Sequence, residues 1–187
     1  PGRGADKADC LSLRVQQLYT DALVVHRLDQ ATSGLMLMAR GVVMQRSLNL
    51  MFETRKVDKS YVAVAHGLVA LDEGCIDLPL AADWPARPKQ KVDTTLGKTA
   101  LTRFRVLSRD VRNCSTRLEL VPITGRTHQL RVHLCAIGHP IVGDTLYGGA
   151  RATVRPAEDR LLLHAQHLAL VHPQSGRALE WHLSAAF

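Results

Sequence analysis

Three side chains in this sequence have types and settings suited to chemistry, and the first is Asp29. It lies in His26-Arg27-Leu28-Asp29-Gln30-Ala31-Thr32-Ser33-Gly34, a polar insert with a base, an acid, two hydroxyls and a glycine. An apolar run, Leu23-Val24-Val25, leads in, and another, Leu35-Met36-Leu37-Met38-Ala39, leads out. That pattern describes a loop anchored in core at both ends, where a rigid scaffold can hold a reactive group. A carboxylate so placed can act as nucleophile or general base. Tyr61 opens an apolar stretch two residues after Lys59. Alone, it reads equally well as a core ring with a hydroxyl handle. Arg131 follows Leu130 in a helical pattern, so it flanks an apolar stripe and can aim its guanidinium at a partner.

Other chemistries find little support. Nine histidines invite a zinc reading, with His128, His133 and His139 close together. On a helix, however, His128 and His133 point in different directions. No cysteine completes a ligand set, and there is no HExxH. No metal is expected. Without GxGxxG or GxxxxGK[ST] no nucleotide cofactor is expected either, and a serine hydrolase would need a GxSxG elbow.

The elements that must position these groups follow from periodicity. Leu11, Val15 and Leu18 have helical spacing. Val43, Met44, Leu48, Met51 and Phe52 recur at three- and four-residue intervals, predicting a helix over about 41–54 that ends in Arg55-Lys56. Lys59–Ala65 is β-prone and apolar on both alternations, which predicts a central strand. The stretch 77–91 carries three prolines and cannot be helical. Its Arg87, Lys89 and Lys91 lie on a stiffened segment suited to phosphate contacts or simply to solvent. Leu101–Ser108 alternates Phe104 and Val106 against Arg103 and Arg105. Thr116–Pro122 sets Leu118 and Leu120 against Arg117 and Glu119, so both read as half-buried antiparallel strands. A turn at 124–127 precedes a helix over about 127–137, with Leu130, Leu134 and Ile137 as its stripe and Gly138 ending it. Residues 161–171 and 179–183 read as a closing hairpin around His172-Pro173-Gln174-Ser175-Gly176. Strands mixed with a few helices make an α+β fold.

Bulk properties point to an anionic partner. The chain has 187 residues and a net charge of +7, which favours nucleic acid. Charge alone does not choose between RNA and DNA, and 4% aromatics leaves few stacking platforms for single strands. Cys10, Cys75, Cys114 and Cys135 form no CxxC pair, which predicts reduced thiols and a cytoplasmic setting. No run is long and apolar enough for a membrane span. The working reading is that Asp29 is the reactive group of an enzyme acting on RNA.

Four successive motifs carry a resemblance: HRLDQATSGLMLMA, KSYVAVAHG, PITGRTHQLRVHLCAIGHPIVGDTLYG and RLLLHAQHLALVHPQSG. In this order they resemble the signatures of RluA-type pseudouridine synthases. DLPLAADWPARPKQKV further resembles the subgroup with dual specificity for large-subunit ribosomal RNA and the anticodon stem-loop of certain tRNAs. The resemblance implies a pseudouridine synthase fold, a mixed and mostly antiparallel sheet with flanking helices and a central active-site cleft. It implies a single catalytic domain over 1–187 that starts just after the family's first strand, acts on RNA as a monomer and needs no cofactor. The reaction breaks the glycosidic bond of a flipped uridine, turns the uracil and rejoins it through carbon.

Residue by residue, Asp29 matches the catalytic aspartate, and Arg131 the arginine that pairs with it. Tyr61 matches the tyrosine that stacks on uracil or relays a proton. Arg27 matches the arginine that helps expel the base, and His26 contacts RNA or supports the loop. One of Leu161, Leu162 and Leu163 is expected to wall the pocket. Two other classes remain: a catalytically inactive RNA-binding fragment of the same fold, and a glycosidase-like hydrolase, which would need a second acid.

Overall fold

A computed structural model of the chain describes residues 9–149 and 160–187. In chain order it begins with α1 (Leu11–Leu18), β1 (Ala22–Val24), β2 (Ser33–Gly34), β3 (Met38–Arg40) and α2 (Gly41–Glu53). It continues with β4 (Asp58–His66), β5 (Glu73–Asp77), β6 (Leu80–Ala82), β7 (Gln90–Val92), β8 (Leu101–Asp110) and β9 (Ser115–Pro122). Last come α3 (Gln129–Ala136), β10 (Leu163–Val171) and β11 (Ala178–His182). The principal sheet has the order β11-β10-β4-β9-β8-β5, with β2 beside β10. The β4/β9, β8/β9 and β5/β8 pairs are antiparallel, whereas β2 runs parallel to β10. This is the expected α+β architecture.

The predicted central strand is β4, held between β10 and β9. Its alternate residues bury on both sides, which is why the sequence there is apolar without a clean period of two. The alternation in β8 and β9 buries Phe104, Leu118 and Leu120 while Arg103 and Arg105 stay out. The proline-bearing stretch is not helical, but it is more ordered than a loop, because β6 and β7 pair antiparallel across it.

Two compact units divide the described residues. One takes 9–28, Met36–Asp58 and Ala169–Glu180. Within it β1 and β3 form an antiparallel ribbon, with α2 packed on both and α1 on β1. The ribbon buries Ala22 and, of the two apolar runs flanking the polar insert, Ala39, while Val24 is exposed. The side chain of Gln45 on α2 donates to the carbonyl of Val24 at 2.8 Å, and Gln16 on α1 donates to that of Ala22 at 2.8 Å. Those bonds satisfy ribbon groups that a two-strand edge leaves open. Although α1 has helical spacing, none of its residues is buried.

The other unit holds Asp29–Leu35, the described part of Lys59–Leu168, and Trp181–Phe187. Its core joins Ala63, Leu118 and Leu120 of the sheet to Leu130 and Leu134 of α3. Leu161, Leu162 and Leu163 are all buried in it, so the leucine run supplies core as a block. Each fully buried leucine contributes about 1.5–3 kcal/mol. Ile137, expected on the α3 stripe, sits past the helix end and is exposed.

Candidate active site

The site is built from the start of α3. His128, just before the helix, has φ 54 and ψ 18, so the helix begins two residues later than periodicity suggested. This left-handed turn is pinned by Gln129. Its side-chain oxygen accepts from the Thr124 hydroxyl at 2.7 Å and from the Arg126 amide at 3.0 Å. Its side-chain nitrogen donates to the Leu101 carbonyl and the Thr102 hydroxyl, both at 3.0 Å. His133 donates from Nε2 to the Leu78 carbonyl at 3.0 Å, so its Nδ1 accepts from the Thr102 hydroxyl at 2.9 Å. Burial holds the His133 imidazole below the ordinary histidine range, in the neutral form this chain of bonds requires. The buried network fixes α3 on β8, and with it the direction of Arg131.

Arg131 is buried, with 5% of its side chain exposed. The sequence suggested a guanidinium at the core edge pairing with Asp29, but its principal partner is Asp144. Nε donates to Asp144 Oδ2 at 2.8 Å and Nη2 to Oδ1 at 2.7 Å, a fork-on-carboxylate pair. Asp144 is fully buried and also accepts from the amides of Leu146 and Tyr147 at 3.0 Å. Burial pulls the Arg131 guanidinium down, and the hydrogen bonds and charge of Asp144 outweigh it, so the net shift is upward. Gly143 lets the preceding turn form. With φ +76, any Cβ there would stand 1.9 Å from the Arg160 carbonyl oxygen.

Asp29 meets this assembly from the other side. Its Oδ2 lies 3.9 Å from Arg131 Nη1, and its Oδ1 lies 3.9 Å from His128 Nε2. The carboxylate keeps 20% of its surface exposed, so it remains reachable while facing a buried cation. Tyr61 packs against the main core, and its phenol is pushed up to about 12, first by burial and then by the charge of Asp29. It is a neutral hydroxyl beside a carboxylate. Tyr147 completes the surroundings: its hydroxyl contacts His128 Nδ1 at 2.7 Å, and the Arg131 guanidinium sits 5.1 Å over its ring.

The Asp29 loop is held by β2. Ser33 and Gly34 pair with His164 and Ala165, and the Leu35 amide donates to the Ala165 carbonyl at 2.8 Å. Gly34 has φ +110, and a Cβ on it would lie 2.2 Å from the Ala165 oxygen, so only glycine lets the strands approach. The Ser33 hydroxyl bonds His164 Nδ1 at 2.9 Å, and His164 Nε2 donates to the Leu183 carbonyl at 3.1 Å. The polar insert, read from the sequence as a loop, therefore ends in a short strand at Ser33 and Gly34.

His26 belongs to the first unit, where its Nε2 accepts from the Leu37 amide at 2.8 Å and its ring stacks on Phe52 with centroids 4.5 Å apart. Arg27 is an exposed side chain of that unit. Arg87 and Lys91 are exposed around the β6–β7 connection, and Lys89 is half-buried. Arg87 lies 3.5 Å over the Trp84 ring, and Lys91 pairs with Asp93 at 3.4 Å. Among the described residues no group of three or more His, Cys, Asp or Glu has metal-holding geometry. No helix described is long and apolar enough to cross a membrane. Asp144, Tyr147, His128 and Gln129 are site residues that periodicity missed. Asp144 did leave a signal, a lone acid directly after Ile141-Val142-Gly143.

Comparison with known proteins gives this geometry its context. The profile of the RNA pseudouridylate synthase family matches residues 3–136. The dual-specificity RNA pseudouridine synthase RluA of Yersinia pestis is 47% identical over 187 residues, covering all of this chain and 89% of the relative. The protein of the same name from Escherichia coli K12 is 44% identical, with all of this chain and 84% of the relative covered. Among solved structures, human RNA Pseudouridylate Synthase Domain Containing 1 superposes with a TM-score of 0.80 at 29% identity, over 93% of this chain and 73% of that one.

Proposed function

The chain belongs to the RNA pseudouridylate synthase family, an isomerase acting on RNA, and from this premise we propose that Asp29 is the carboxylate that converts uridine to pseudouridine. The observation that supports Asp29 is its position. It is a partly exposed acid with one oxygen 3.9 Å from the buried guanidinium of Arg131 and a neutral tyrosine hydroxyl nearby. The reaction breaks the bond between the ribose anomeric carbon and a uracil nitrogen, then joins the same ribose carbon to a uracil ring carbon that gives up its proton. Asp29 serves either by attacking the anomeric carbon or by taking a proton from the carbon beside it.

Arg131 steadies the negative charge of Asp29, and Asp144 holds Arg131 in place. Tyr61 stacks on the flipped uracil and offers its hydroxyl for proton relay. Arg27 helps open the RNA, with His26 contacting it or bracing the loop. Arg87, Lys89 and Lys91 meet phosphates. Kinship with dual-specificity synthases supports large-subunit ribosomal RNA and a tRNA anticodon stem-loop as substrates. We place the enzyme in the cytoplasm, as a monomer with one catalytic domain and no cofactor.

Tritium release from RNA labelled on the uracil carbon that loses its proton tests the reading. Wild type releases tritium, and Asp29→Ala releases none above background. Turnover that survives Asp29→Ala overturns the role of Asp29, and free uracil as product makes the protein a hydrolase.

A further inference from the structure

We propose that His128 is a positioning residue for Asp29, held by Tyr147 in the tautomer whose Nε2–H faces the carboxylate. The proposal rests on Asp29 being the reacting group.

The proton count around Tyr147 carries it. The Gln90 amide donates to the Tyr147 oxygen at 2.8 Å and occupies one of its lone pairs. His128 Nδ1 lies 2.7 Å from the same oxygen. Burial raises the Tyr147 phenol, which keeps its proton, and Nδ1 is the acceptor that proton meets. A neutral imidazole accepting at Nδ1 carries its hydrogen at Nε2, the atom 3.9 Å from Asp29 Oδ1. The opposite tautomer would set the Nε2 lone pair against an anionic oxygen and leave the phenolic proton without this acceptor.

Asp29 thus has a separate donor for each oxygen: Arg131 Nη1 at Oδ2 and His128 Nε2–H at Oδ1. At 3.9 Å neither contact is yet a hydrogen bond, and such contacts commonly tighten when substrate arrives. The backbone agrees. His128 is one of three described non-glycine residues at positive φ, and strain of this kind persists where the surroundings over-determine it, often at reactive centres. Here those surroundings are the Gln129 network on one side and Tyr147 on the other.

Three substitutions separate positioning from packing. His128→Gln puts an amide N–H close to the Nε2 site, His128→Asn puts one close to Nδ1, and His128→Ala removes both. Each is assayed with Asp29→Ala as control on a uridine-containing stem-loop RNA, recording kcat, KM and melting temperature. Asn and Ala are expected to lower kcat about 10- to 100-fold, the usual size for losing an orienting partner, with KM nearly constant. Gln should recover most of the loss, and Tyr147→Phe should fall between.

Equal activity of Gln and Asn, a loss confined to KM, or loss that tracks only melting temperature overturns the inference. So does a wild-type rate in His128→Ala while Asp29→Ala is dead, which leaves the role of Asp29 intact. An active Asp29→Ala instead removes the reading on which the inference rests.

Discussion

Two sets of cations in the same unit are held in opposite ways. Arg131 is buried, its guanidinium locked to Asp144 by two short bonds, and Asp144 is itself locked by two backbone amides. Arg87 is exposed and rests on Trp84, a ring that is 68% exposed, while Lys91 has one loose ion pair. The first arrangement gives up mobility for a fixed field at one carboxylate. The second keeps long side chains adaptable, which suits contact with phosphates whose positions vary. Fixing a charge requires buried partners, whereas presenting one needs only a stem to lean on.

The largest test of this contrast removes the lock. Asp144→Ala leaves Arg131 buried without its principal, hydrogen-bonded counter-charge, which should cost about 3–5 kcal/mol. For a chain of this size that lowers the melting temperature by roughly 10 °C, seen by calorimetry, and activity should fall with it. A shift of only a degree or two would mean that Arg131 finds another partner.

A smaller effect belongs to Tyr61. Its folded pKa of about 12 lies above the ordinary 10, so the folded state keeps a proton that the unfolded chain gives up. Stability is then full below pH 10 and declines as pH rises towards 12, by about 2 kcal/mol. Urea unfolding across that range should show the decline in wild type, and Tyr61→Phe should flatten it.

The smallest effect is at the exposed cation. Arg87→Ala should leave melting unchanged within about 0.5 kcal/mol. It should weaken RNA binding by about threefold and reduce the salt slope of log K by about 1. Loss of melting stability comparable to that of Asp144→Ala would erase the contrast.

Much of the fold was legible because it depends on how single elements bury themselves. The spacing from Val43 to Phe52 predicted a helix over 41–54, and α2 runs Gly41–Glu53. The alternation around Phe104 and Leu118 gave two strands of the sheet, and 161–183 gave the closing hairpin. What stayed hidden depends on partners far apart in sequence. Nothing near Ser33 indicates a parallel pairing with His164, and nothing near Arg131 indicates that its carboxylate lies in a turn after β4's neighbour Ile141. Periodicity reports which face of an element is buried, not what it is buried against. The left-handed turn at His128 escaped for a related reason, since it is imposed by Gln129 reaching back to Thr124 and Arg126.

The pairing of Ser33 and Gly34 with His164 and Ala165 also sets a schedule. The loop bearing Asp29 is made before the strand it leans on, which comes more than a hundred residues later, and His164 is itself steadied by Leu183. At about 5–20 residues per second, the wait between the two is on the order of ten seconds. Until then β2 lacks the strand it pairs with. Bracing of the Asp29 loop by β10 therefore waits on a stretch made well after the loop itself.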